Sequence, residues 1–392
     1  MYNNNKYILT SGDDILLGKV KTAIEEVIAI INRDMPKYSS GNLYPGRYKD
    51  GKYSAIKNGE GIWTESFWTG MLWLAYEITG KEEFCSLAQK NVEDFVKRMD
   101  DNNNIDWHHD IGFLYSPSCV ASYKLTGNEK AKKVSEEAAY LLNRRFRIKG
   151  NFIQSAGIET DEPKYKFIID TMLNLPLLFW AADETGRYMY RQRAILHAET
   201  ARKYTIRPDG STYHHFIMNI NSGEPVRGHT WQGFSDESCW SRGHSWMIYG
   251  SAIMYAYTGD ESWIDTFEKV TDYFVNHLPE DYVSHWDFDV IGTGDDDRDS
   301  SATAITLCGI LEMANCIGAT SRKMPVYIDT AKKMLSSLID NYAVRIDSGK
   351  EGLLDKTMGA KPFGSVPGCS TYGDYYYFEA LVRASTPWKM YW

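Results

Sequence analysis

Apolar and polar positions along the chain fall into two alternating kinds of segment. The first kind is apolar on nearly every side and rich in small residues: SFWTGMLWLAYEI from Ser66, IGFLYSPSCVASYKL from Ile111, TMLNLPLLFWAADE from Thr171 and HSWMIYGSAIMYAY from His244. A helix without a polar face is one buried all round. The second kind is amphipathic. From Lys81 onward Phe84, Leu87, Ala88, Val92, Phe95, Val96 and Met99 recur at i, i+3, i+4 with charges between them, which predicts an outer helix. A Thr-Gly dipeptide closes each inner segment, at Thr79-Gly80, Thr126-Gly127, Thr185-Gly186 and Thr258-Gly259. Glycine just past a helix end takes the left-handed conformation without steric cost and stops the helix there.

These units predict an all-α fold, an (α/α)6 barrel of six or seven helical hairpins, in a single catalytic domain over residues 1–392. Residues 13–33, 300–317 and 374–384 supply less regular units. A flat helical solenoid is the structural alternative. Trp63, Asp110 and Arg242 each lie 16 residues before their threonine, and Asp170 lies 15 before Thr185. All inner helices of such a barrel run the same way, so an aromatic ring, two acids and a cation are expected to meet at one mouth.

A hydrophobic share of 43% and an aromatic share of 14% supply a core without disulfides or a structural metal. The six cysteines form no CxxC pair and read as reduced thiols. A net charge of −9 with scattered Lys and Arg excludes a nucleic-acid groove. Residues 173–182 form the longest apolar run the sequence suggests; it is short and holds Pro176, so no membrane span is expected. The first residues lack a basic and apolar leader, which predicts a cytoplasmic protein. A monomer or weak homo-oligomer is expected. No metal and no cofactor are expected. Adjacent His108 and His109 point in different directions in an extended chain, and the acidic run from Gly294 to Ser301 lacks the spacing of a calcium loop.

Asp110 and Asp170 could each be a helix N-cap. Two at one mouth, with Ile168, Ile169, Met172 and Leu173 flanking Asp170, point instead to catalysis. Burial and a neighbouring carboxylate raise one acid while the other stays ionised. Trp63 and Trp246 lie near helix starts, where an indole face can stack on a sugar ring. Arg242 is the cation that an acidic sugar would need in so acidic a protein.

Six segments in order, GIWTESFWTGMLWLAYEITGKEEF, HHDIGFLYSPS, IIDTMLNLPLLFWA, HTWQGFSDESCWSRGHSW, RDSSATAITLCGILEM and GDYYYFEALVR, resemble the unsaturated glucuronyl hydrolases of glycoside hydrolase family 88 over roughly residues 25 to 385. The resemblance implies a six-hairpin α/α barrel. It also implies hydration of the C4=C5 double bond of a 4,5-unsaturated uronic acid on lyase-generated glycosaminoglycan-type oligosaccharides. By position Asp170 matches the general acid/base and Asp110 the second essential aspartate. His214, Gln232, Arg242 and Trp246 match sugar contacts, with Gly228 and Thr230 in the same loop. Two places depart: FIQSAG has no tryptophan where some relatives place a stacking ring, and GSVPGCST lacks the downstream lysine of sulfate-tolerant relatives. Alternatives are an unsaturated rhamnogalacturonyl hydrolase acting on pectin fragments, an inverting α/α-barrel glycosidase, and a noncatalytic oligosaccharide-binding module.

Overall fold

The fold comes from a computed structural model that describes residues 8–61, 63–101 and 108–392; Met1 to Tyr7, on which the leader argument partly rests, lie outside the described residues. Among the described residues six outer helices surround six inner ones. The outer layer is Asp14–Asp34, Glu82–Asp100, Glu129–Arg144, Tyr188–Thr205, Ser262–Asn276 and Met324–Ser337. The inner layer begins with Glu65–Thr79, continues through the segment from Ile111 to Thr126, and then takes Pro176–Thr185, Ser241–Thr258, Ser300–Ile317 and Thr371–Ser385. Thr371–Ser385 packs on both Ser300–Ile317 and Glu65–Thr79, which closes the ring, and Asp14–Asp34 packs on Thr371–Ser385 as its outer partner. The count of hairpins is therefore six, and the ring is an α/α barrel rather than a flat solenoid.

The Thr-Gly repeat has a common geometry. Gly80 and Gly259 both stand at φ 67° and donate their N–H to Tyr76 and Tyr255. The preceding threonine donates its hydroxyl one turn back, Thr79 to the Ala75 carbonyl and Thr258 to that of Met254, both at 2.6 Å. The same oxygen accepts the N–H two residues on, from Lys81 and Asp260 at 3.2 Å. One side chain thus satisfies the helix end and aims the next helix, which is why the dipeptide recurs.

Two inner segments are less regular than the periodicity predicts. The Ile111 segment is α-helical over Ile111–Tyr115 and Ala121–Thr126 but a π turn over Ser116–Val120. Pro117 lacks the N–H an α-helix needs, and the wider turn accommodates its ring. The Thr171 segment starts as a 3-10 turn, Ile169–Leu173, before Pro176 opens the α-helix. Ser300–Ile317 is long and apolar enough to cross a bilayer, more so than residues 173–182; 83% of it is buried inside the barrel, where that surface is used.

Short strands, which the helical periodicity does not foretell, cluster with the mouth loops. Leu43–Lys49 pairs antiparallel with Lys52–Lys57. Lys166–Ile168, His215–Met218 and Pro225–His229 form a three-stranded sheet that carries Asp170 and His214 to the mouth. One contiguous core runs from Leu9 to Trp392. Phe113 lies in it beneath the site, edge-on to Trp392 at 6.1 Å.

Candidate active site

The two acids lie where the inner helices begin, yet neither caps a helix. Asp110 occupies the N-cap position of Ile111–Tyr115 without a side-chain capping bond, and Asp170 sits within the Ile169–Leu173 turn. Asn174 ties the two together: its Oδ1 accepts the Phe113 N–H at 2.7 Å, and its Nδ2 donates to the Asp170 carbonyl at 3.3 Å. The backbones approach so closely that a Cβ on Gly112 would lie 2.4 Å from the Asn174 Cα. Glycine at 112 is what allows the acids to share one site.

His108 and His109 do not diverge as an extended chain predicts. The turn brings both onto Asp110, His108 Nδ1 at 3.2 Å from Oδ2 and His109 Nε2 at 3.4 Å from Oδ1. Burial pushes the Asp110 carboxyl up, but His109, His108 and Asn174 outweigh it and hold the group below the ordinary carboxylate value. His109 itself is lowered to about 4, chiefly by burial, so its ring is neutral. Its Nδ1 lies 2.6 Å from the Thr171 hydroxyl, beside Asp170 in the chain. The partners place the ring proton on Nε2, toward Asp110.

Asp170 is the opposite case. Burial first, and the Asp110 charge second, raise its carboxyl to about 7 against the pull of Arg242. Its Oδ2 is buried without a hydrogen-bond partner, 3.6 Å from His214 Nε2, which also has none. His214 Nδ1 accepts the Gln232 N–H at 3.3 Å, so the ring proton faces Asp170. Burial holds this imidazole far below its ordinary value, hence neutral. Trp246 Nε1 lies close enough to favour the charged form of Asp170 but makes no hydrogen bond of ordinary length. Three orphaned polar atoms converge on one spot, which is where a ligand supplies the missing partners.

The remaining expected site residues divide. Trp63 is half-buried, with one face stacked on Tyr372 at 5.3 Å and its ring tilted against Phe113. Trp246 is not available for stacking on a sugar: it is fully buried between Phe113 and Tyr376. Arg242 is not a free cation either. Its Nη1 donates to Asp299 Oδ2 at 2.5 Å and to the Met358 carbonyl, while Nη2 reaches Gln232 Oε1 and the Gly359 carbonyl only at 3.4 Å. Its plane lies over Trp240 and Tyr372, centroids 4.4 and 4.9 Å away. Thr230 spends its hydroxyl on the Ser238 carbonyl at 2.8 Å, and Gly228 is small because the Tyr213 ring fills the space where its Cβ would lie. Those two shape the loop rather than face the acids. The spacing argument did gather Trp63, Asp110, Asp170 and Arg242; it missed His109, Thr171, Asn174, Asp299 and Tyr372. Asp299 carried the same signal as the acids, a position immediately before an inner helix, but was absorbed into the acidic run.

Among the described residues no group of three or more His, Cys, Asp or Glu side chains is arranged to hold a metal ion.

Paired carboxylates of opposite protonation, set among aromatic rings at the mouth of a helical barrel, are the equipment of a glycoside-processing enzyme. The chain belongs to Glycosyl Hydrolase Family 88, whose model matches residues 41–387. It is 40% identical over 375 residues to an unsaturated chondroitin disaccharide hydrolase of Streptococcus pneumoniae, covering 95% of this chain and 94% of that one. It is also 40% identical over 372 residues to an unsaturated glucuronyl hydrolase of a Bacillus species, covering 94% and 98%. The crystal structure of the unsaturated glucuronyl hydrolase from Streptococcus agalactiae superposes with a TM-score of 0.91 at 38% identity, over 96% of this chain and 94% of that one.

Proposed function

We propose that this enzyme releases 4,5-unsaturated glucuronic acid from lyase-generated glycosaminoglycan-type disaccharides by hydrating the C4=C5 bond. The observation that carries the reading is the unpartnered Asp170 Oδ2, whose carboxyl is held at about 7 and so can both give and take a proton near neutrality. The substrate double bond is an enol ether, because C5 bears the ring oxygen. Asp170 protonates C4, and positive charge develops at C5 and is shared with that oxygen. The Asp170 carboxylate then takes a proton from the water that attacks C5. The resulting hemiketal opens and the second sugar departs.

Ionised Asp110, fixed by the two histidines, accepts a sugar hydroxyl and keeps Asp170 protonated until substrate arrives. His214 Nε2–H and the Trp246 indole N–H stabilise the Asp170 carboxylate once its proton has moved to C4. The Nη2 edge of Arg242, with only long bonds to its neighbours, is the part left to meet the substrate carboxylate. Trp63 borders the sugar.

The test follows the ultraviolet absorbance of the conjugated uronate on unsaturated chondroitin and hyaluronan disaccharides, with wild type and Asp170→Asn. The expected result is a decrease that vanishes in the folded variant. No decrease on any unsaturated uronide, pectic ones included, refutes the reading and turns attention to saturated glycosides.

A further inference from the structure

Asp287 is fully buried and plays no part in the reaction proposed above. Among the described residues no Lys, Arg or His pairs with it, and its carboxylate is met by hydrogen-bond donors alone. A buried carboxylate without a counter-ion persists only where such donors are well placed. Burial lifts the group to about 6 against their pull, so near neutrality it is mostly ionised and purely an acceptor.

The donors come from two directions. On one side Asp287 is fixed to the barrel, because its segment runs antiparallel to the start of the inner helix Ser241–Thr258. Trp240 forms a β-bridge with Asp287, the Phe288 N–H donates to the Cys239 carbonyl at 3.0 Å, and the Ser241 N–H donates to the Trp286 carbonyl at 3.2 Å. Oδ1 accepts the Asp289 N–H at 3.0 Å and so caps the Phe288–Val290 turn. On the other side Oδ2 holds the loop that joins Pro225–His229 to that helix. It accepts the Phe234 N–H at 2.8 Å and the Ser238 hydroxyl at 2.7 Å. The loop comes so near that a Cβ on Gly233 would lie 2.5 Å from Oδ2 and 2.4 Å from Thr230 Cγ2. This loop delivers Gln232, the residue before Gly233. The Gln232 N–H is the donor that His214 Nδ1 accepts at 3.3 Å, and Gln232 Oε1 lies 3.4 Å from Arg242 Nη2. The Phe234 N–H held by Asp287 stands two residues further along the same backbone.

Resting on the hydration reading above, we infer that Asp287 is a positioning residue for that reaction: it anchors the loop that fixes Gln232, and through Gln232 it holds the His214 proton toward Asp170. A neutral imidazole carries its proton on either nitrogen, and the partner of the other nitrogen decides which. With Nδ1 engaged by the Gln232 N–H, the proton stays on Nε2, 3.6 Å from Asp170 Oδ2. A loop released from the carboxylate withdraws that N–H, and the proton is then free to move to Nδ1, where it no longer supports Asp170.

The test follows the nitrogen NMR signals of the His214 ring in histidine-labelled protein, assigned by their loss in His214→Gln, together with kcat and KM on an unsaturated uronyl disaccharide. Wild type is expected to show Nε2 protonated and Nδ1 bare. Asp287→Ala removes the anchor, whereas Gly233→Ala keeps the carboxylate and pushes the loop away from it. Both are expected to draw the two ring signals together as the tautomers mix. Both are expected to lose kcat about ten- to a hundredfold, because a positioned group displaced by ~1 Å costs about 10²-fold. KM should change far less, since the support is needed when Asp170 has given up its proton. Asp287→Asn keeps an oxygen for the Phe234 N–H and is expected to retain most of the kcat and the wild-type ring signals. Folded Asp287→Ala and Gly233→Ala with unchanged ring signals and kcat, whatever their Tm, overturn the inference; should Asp287→Ala not fold, Gly233→Ala decides it. A wild type that consumes no unsaturated uronide refutes the hydration reading instead, a result distinct from the ring signals.

Discussion

Asp170→Asn should abolish turnover and yet make the protein harder to unfold, and the gain should depend on pH. In the unfolded chain the carboxyl titrates near 3.8, and in the fold near 7. Below 3.8 it is protonated in both states and exacts no penalty. As pH rises, the unfolded chain releases its proton while the fold retains it, so stability drains away until about pH 7 and then levels off. At ~1.4 kcal/mol for each tenfold change in proton affinity, the gap amounts to about 4 kcal/mol. An unfolding entropy of ~2.1 cal/mol/K per residue gives about 0.8 kcal/mol/K for 392 residues, so the lost stability corresponds to about 5 °C. Asparagine keeps the shape of the side chain and does not titrate. Thermal unfolding of both proteins, followed by circular dichroism from pH 4 to pH 8.5, should therefore show the Tm of the variant pulling ahead by about 5 °C between pH 4 and 7 and no further above it. Groups that do not face Asp170 titrate alike in the two proteins and cancel in the difference. A Tm difference independent of pH would show that the Asp170 carboxyl ionises normally, and the acid role assigned to it would fall.

Asp110→Asn removes the charge that ranks second in raising Asp170, so the alkaline limb of the residual kcat/KM should move to lower pH; an unmoved limb in the pH–rate profile assigns the whole effect to burial. Asp299→Asn leaves the Arg242 charge buried without its counter-ion and should lower stability by about 3–5 kcal/mol, read as a fall in Tm, and raise KM as Nη2 loses its aim. Gly112→Ala places a methyl group 2.4 Å from the Asn174 Cα and should lower stability by about 1–3 kcal/mol. Because the displaced helix carries Asp110, its kcat should fall further than its Tm alone would suggest, and a full kcat would refute the role given to that close approach.

The barrel is legible in the chain because each unit repeats the same physical problem, a buried helix that must end and turn. Thr-Gly solves it locally, and a local solution leaves a mark at fixed spacing. The same regularity located Trp63, Asp110, Asp170 and Arg242, since chemistry at the mouth falls at one position in every unit. What the spacing could not convey is pairing across distance. Arg242 looked free because its partner, Asp299, lies 57 residues away, just before the next inner helix. His109 looked irrelevant because an extended chain sends adjacent rings apart, whereas the turn before Ile111 brings both onto Asp110. Trp246 looked like a stacking platform because sequence shows the polar neighbours of a helix start and not the two rings that enclose the indole. The mouth strands escaped notice since Lys166–Ile168 and His215–Met218 are three and four residues long, too short for a period to declare itself.

The Thr-Gly turns stand at the end of the barrel away from the acids, and added atoms at Gly186 or Gly259 would meet nothing within 4 Å. One end of the molecule is thus standardised and chemically silent while the other is individual and reactive. A linker or a surface attachment grafted at those turns would leave the mouth facing the medium, so molecules tethered there would present a uniform reactive face to arriving oligosaccharides.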